Sequence, residues 1–99
     1  MKIIEGKVVE ILHDSIAFFM IIIIETKNGD RVACHVDNVL RLKLRREKDF
    51  NIKEGDGVVM PIDNSLDGHY IVDDDDATYR GKVFFSQEEI TINGVTYTV

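Results

Sequence analysis

Between Arg41 and Lys48 the chain places five cations, Arg41, Lys43, Arg45, Arg46 and Lys48, close together in sequence. A stripe of this kind can track a phosphate backbone, and Phe50, Tyr70 or an exposed Phe18 would supply a ring on which a base stacks. The same spacing also suits a solvated strand or helix face. The run Asp73, Asp74, Asp75 and Asp76 offers hard oxygen ligands. It lacks the spaced acidic positions, central glycine and distal glutamate of a calcium loop, so it reads as an acidic loop able to dock on a partner with a basic surface.

Other chemistry is thinly represented. His13, Cys34, His35 and His69, with Asp14 and Asp37, are the soft-metal candidates. Adjacent Cys34 and His35 on a strand point to opposite faces and cannot chelate one ion together, so no metal or other cofactor is expected. There is no G-x-S-x-G elbow, H-E-x-x-H pair or P-loop, and Ser15, Ser65 and Ser86 have no base beside them in sequence. Glu88 and Glu89 alternate faces. A protein without catalytic activity is the expectation.

The elements that must position these residues read mostly as β-strand. The chain has 99 residues, 44% hydrophobic and 30% charged, which suits one globular domain with a modest core. Its net charge of −6 is uneven. Residues 1–50 carry nine Lys and Arg against eight Asp and Glu, net +1, whereas residues 51–99 carry three against ten, net −7. This polarity suits a local anion-binding face or a self-complementary homodimer. One cysteine and no apolar run behind a basic N-terminus point to a cytoplasmic location.

The nine apolar residues Ile16 to Ile24 are too few for a membrane helix, which needs about 20, so no membrane association is expected. They read as a buried strand ending at Thr26. Lys2 to Leu12 precedes it as a first strand, with Ile4, Val8 and Leu12 on one face. Val9 and Ile11 break the alternation and imply a bulge or a strand shared between two sheets, with Gly6 helping it bend. His13-Asp14-Ser15 reads as the turn between them.

Asn28-Gly29 best satisfies the two positive φ angles of a type I′ hairpin, which would place Lys27 opposite Asp30, Ile23 opposite Cys34 and Ile21 opposite Val36. Phe19, Ile21 and Ile23 would then line the core with Val32, Cys34 and Val36. Phe18, Met20, Ile22 and Ile24 would form a second apolar face needing a cover, from the chain's own C-terminal hairpin or from a partner.

Asp37 to Asn51 fits a strand or extended loop, although Leu40 and Leu44 also match helical spacing. Residues 52–57 form a turn launching Val58-Val59-Met60, Pro61 marks that strand's end as an edge, and Asn64 to Gly68 reads as loop. His69 to Val72 reads as a short strand. Glu89 to Ile92 and Val95 to Thr98 form a second hairpin about Asn93-Gly94, with Ile92 opposite Val95 and Ile90 opposite Tyr97.

Taken in order, Gly6-Lys7-Val8-Val9-Glu10, the long apolar strand, Asn28-Gly29 to Val36, Arg45-Arg46 and Gly55-Asp56-Gly57-Val58-Val59 resemble the small OB-fold RNA-binding barrels of the bacterial translation initiation factor one type. The resemblance covers roughly residues 4–62. It implies a five-stranded, partly open barrel that binds through strands two and three, with His35, Arg45 and Arg46 at or near an RNA-contacting surface.

The expected architecture is thus all-β: an OB-like barrel in residues 1–62, with residues 63–99 adding an acidic loop and a C-terminal hairpin packed on it. The expected function is a binding module for single-stranded RNA or DNA, or a ribonucleoprotein. The alternative is an assembly module that self-associates and presents an acidic surface.

Overall fold

The computed structural model describes residues 2–14, 19–36, 40, 42, 52–71, 78–86 and 89–98; residues 13, 14, 19, 63–71 and 78–81 are described by backbone alone. The described residues form seven strands: β1 (Lys2–Asp14), β2 (Phe19–Glu25), β3 (Arg31–Val36), β4 (Gly57–Ile71), β5 (Thr78–Ser86), β6 (Glu89–Ile92) and β7 (Val95–Thr98). They make one sheet in the order β1-β2-β3-β5-β4-β6-β7, and β1 also pairs with β4. The first five strands therefore form a closed ring, and the β6–β7 hairpin is added along β4.

β1 serves two partners, as its broken alternation implies. Lys2 to Lys7 pair with β4, Ile4 opposite Met60, and Lys7 to Asp14 pair with β2, Leu12 opposite Ile21. The register shifts between Val8 and Glu10, so Val9 is the extra residue of a bulge. Gly6 sits at the crossing, where an added Cβ would overlap the Glu25 carbonyl oxygen. The turn at residues 53–56 fastens the same point: the Val8 N–H donates to the Asp56 carbonyl at 2.9 Å, and the Gly55 N–H donates to the Val8 carbonyl at 2.7 Å.

The two Asn-Gly dipeptides fold differently. Asn93 and Gly94 both take positive φ, 50° and 86°, and Ile92 faces Val95 and Ile90 faces Tyr97, as the type I′ geometry requires. At the other dipeptide only Gly29 does, at 84°. There Thr26 accepts from the Gly29 N–H and donates to the Asp30 carbonyl, both at 2.9 Å, closing the three-residue loop Lys27-Asn28-Gly29. The extra residue slips the register by one from expectation: Ile22 faces Cys34, Ile21 faces His35 and Ile24 faces Val32.

A one-residue slip exchanges the faces of a strand. Met20, Ile22 and Ile24, expected on a second face covered by the C-terminal hairpin or by a partner, are buried in the main core with Cys34 and Val36. Ile4, Val8, Val58, Met60 and Ile62 join that core from β1 and β4, Ile90 and Ile92 from the C-terminal hairpin, and Leu40 and Ile52 from the connection between β3 and β4. In this register every inward position of β2 and β3 is apolar, and His35 stays out of the core. The expected core residues Ile21 and Ile23 lie on the opposite face, in a smaller buried cluster with Leu12, Ala33 and Val83.

Further differences follow from long-range pairing. His13 and Asp14 continue β1 opposite Met20 and Phe19 instead of turning. β4 does not end at Pro61, which pairs with Ile3, and Asn64 to Gly68 is strand rather than loop. Pro61 falls where the other edge of β4 changes partners, from β6 at Val58 and Val59 to β5 from Ile62 onward. An irregularity between Ile62 and Ser65 accommodates the change, after which Gly68 faces Gly81.

Residues 1–62 do not complete the ring, because β5 closes it, parallel to β3 and antiparallel to β4. Between β3 and β4, Leu40 and Leu42 are helical rather than extended, with Leu40 fully buried and Leu42 54% exposed. A strand would have put both on one face.

Two substitutions at the asparagines test the turn assignment by urea denaturation. Asn93→Ala is expected to cost about 2 kcal/mol, through lost hydrogen bonds and a strained positive φ, and Asn28→Ala less than about 0.5 kcal/mol. Equal losses would contradict it. Gly6→Val is expected to destabilise by about 3 kcal/mol through overpacking at the crossing; a neutral effect would show that β1 and Glu25 do not approach as described.

Candidate functional site

Among the described residues, aromatic and cationic side chains meet on β5. Phe84 and Lys82 share one face of the strand, because side chains two apart point the same way. The Lys82 ammonium lies 5.9 Å from the Phe84 ring centroid, and the Lys2 ammonium from the start of β1 lies 5.1 Å from it. Both lysines are exposed and Phe84 is half-buried, its inner side packed on the main core. Closure of the ring brings Lys2 here, since Lys2 faces Ile62 and Ile62 faces Ser86. A half-buried ring flanked by two cations can stack a planar group and neutralise an anion beside it.

Phe85 points to the other face of β5. His35, opposite it on β3, approaches with ring centroids 5.4 Å apart at 56°. His35 is half-buried, next to the smaller apolar cluster formed by Ala33, Val83 and Ile21. The outer face of β2 and β3, where the family resemblance puts a binding surface, is thus apolar at Ile21, Ile23 and Ala33. It becomes charged only toward the turn, where Arg31 and Glu25 form an exposed ion pair at 3.6 Å.

Arg41, Lys43, Arg45, Arg46, Lys48 and Phe50 lie outside the described residues, as do Phe18 and Asp73 to Asp76. Of the expected nucleic-acid contacts, His35 is placed with its side chain and Tyr70 by backbone alone, in β4 opposite Tyr79. Phe84, with Val83 and Phe85, is expected only to bridge the C-terminal hairpin and strand two, and Lys2, Lys82 and Phe84 are not among the site residues expected from the sequence. The alternation Lys82-Val83-Phe84 carries a signal for two of them, but Lys2 reaches the site only through the pairing of β1 with β4.

Gly6 floors an open groove of about 550 Å³, whose lining includes Glu5, Lys7, Glu25, Lys27, Thr26 and Thr91. Its charged lining residues are two carboxylates, Glu5 and Glu25, and two lysines, Lys7 and Lys27. Asn93 holds one wall. Its N–H donates to the Gly57 carbonyl at 2.8 Å, and its Oδ1 accepts from the Gly57 N–H at 2.9 Å. Its Nδ2 donates to Asp56 Oδ1 at 3.1 Å, while Asp56 Oδ2 accepts from the Lys53 N–H at 2.9 Å. Asp56 and Asn93 act here as structural fasteners.

Cys34 and His35 do point to opposite faces. Among the described residues no group of three His, Cys, Asp or Glu side chains is placed to hold a metal ion, and no helix is long and apolar enough to cross a membrane. Compared with protein-family models, curated proteins and solved structures, the chain matches none.

Burial pushes the Cys34 thiol up from 9.0 to about 12. Because the folded pKa exceeds the unfolded one, the folded chain holds this proton more tightly, so the contribution is full below pH 9 and declines as pH rises from 9 toward 12. Unfolding free energy is expected to fall by about 1.4 kcal/mol per pH unit in that window from this group, with the loss abolished in Cys34→Ala. An identical pH profile in the variant would contradict it.

Proposed function

We propose that the chain is a non-catalytic binding module, an OB-like barrel with an added hairpin, that contacts single-stranded nucleic acid. The observation that carries this reading is the pair of ammonium groups over Phe84. Stacking on an aromatic ring and neutralisation of phosphate are the two interactions that unstructured nucleic acid offers irrespective of sequence. The closed ring of five strands, with β5 inserted between β3 and β4, supports the OB-like description. The cations from Arg41 to Lys48 belong to the connection that follows β3, whose His35 ring lies tilted against Phe85. Together they give an otherwise acidic chain a local attraction for a polyanion.

Titration of short single-stranded RNA and DNA at two salt concentrations tests the proposal. Binding is expected at low salt and should weaken as salt rises. Phe84→Ala should reduce affinity by about tenfold, through loss of the stacking ring. Lys2→Glu with Lys82→Glu should also flatten the salt dependence. An absence of binding at low salt, or binding unaffected by both changes and by Arg45→Glu with Arg46→Glu, would end this reading.

A further inference from the structure

β7 is the last strand of the sheet, and among the described residues its outer edge has no strand beside it. In the tight hairpin about Asn93-Gly94, Ile92 exchanges backbone bonds with Val95, and Ile90 with Tyr97, so Thr96 and Thr98 direct their N–H and C=O groups outward. The Thr91 and Thr96 hydroxyl oxygens, 2.8 Å apart, fit the closer spacing of a non-hydrogen-bonded pair. Edges of this kind are ordinarily protected by a charge, a proline or a bulge. Val95-Thr96-Tyr97-Thr98 has none of these, and Val95 is 52% exposed.

We infer that β7 pairs antiparallel with β7 of a second copy, joining two rings through one continuous sheet. With Thr96 opposite Thr98 of the second copy, Tyr97 meets its own counterpart on the two-fold axis. The central row then reads Ile90, Tyr97, Tyr97, Ile90 across four strands, apolar throughout. The rows on either side read Glu89, Thr98, Thr96, Thr91, with the two Glu89 side chains at opposite ends. No like charges meet, although each chain carries −6 overall. This complementarity favours a second copy over an unrelated strand. The edge is short, so the dimer is a weak one that forms at high concentration.

Amide hydrogen exchange and sedimentation of the intact chain test the inference together. Raising the concentration from about 10 µM to about 1 mM should increase the sedimenting mass toward two chains and slow exchange at Thr96 and Thr98 several-fold, leaving Thr91 unchanged. Thr96→Pro removes an outward donor at a position where the hairpin tolerates it, and should leave a monomer at both concentrations. Concentration-independent exchange at Thr96 and Thr98 would overturn the inference, as would a dimer that persists in folded Thr96→Pro. A chain that stays monomeric, with Thr96 slowed only by an added unrelated extended peptide, would also overturn it.

Discussion

β1 passes from one side of the sheet to the other at Gly6, where its backbone comes so near the Glu25 carbonyl that no side chain fits between them. From this close approach the ring follows. The first half of β1 is committed to β4 and the second half to β2, with the extra residue of the bulge at Val9 turning the strand between them. Hydrogen bonds from the turn at residues 53–56 to Val8, and from Asn93 to Gly57, hold the crossing from two further directions. The core becomes enclosed because apolar side chains from β1, β2, β3 and β4 are brought round to face one another, with the C-terminal hairpin adding Ile90 and Ile92.

Local signals were legible where the chain itself enforces them. A broken alternation located β1, an uninterrupted apolar run β2, and the runs flanking the two Asn-Gly dipeptides β3, β6 and β7. Asn93-Gly94 set its hairpin's register because both residues can take positive φ and do. The same dipeptide at residues 28–29 misled, since a three-residue loop is equally open to Asn-Gly and only packing decides between the two. That choice exchanged the faces of β2 and sent Met20, Ile22 and Ile24 inward. β5 and the far half of β4 were illegible for a related reason. Ser65, Asp67 and Gly68 have the composition of a loop and are strand only because β5 pairs with them, while Asp63 and Asn64 fall in the irregularity between the paired Ile62 and Ser65. Leu40, Leu42 and Leu44 match the strand period and Leu40 with Leu44 the helical one, and burial of Leu40 with exposure of Leu42 resolves it.

The candidate site shows the same division. His35 was visible in sequence as the residue beside Cys34 that must face the other way. Lys2 and Phe84 stand 82 positions apart in the chain and meet only because β1 and β5 flank opposite edges of β4. A site assembled by ring closure leaves no local motif. The cationic stripe, by contrast, was legible as composition, which identifies what it could attract without fixing where it points.

The central claim is that β1 divides between two neighbours, β4 and β2, as the ring requires. Cross-strand NOEs between α-protons, recorded on the chain in solution, test it most directly. The account predicts contacts that link β1 to β4 in the register setting Ile4 opposite Met60, and to β2 in the register setting Leu12 opposite Ile21, within one molecule. Contacts from β1 to only one of these strands would contradict it.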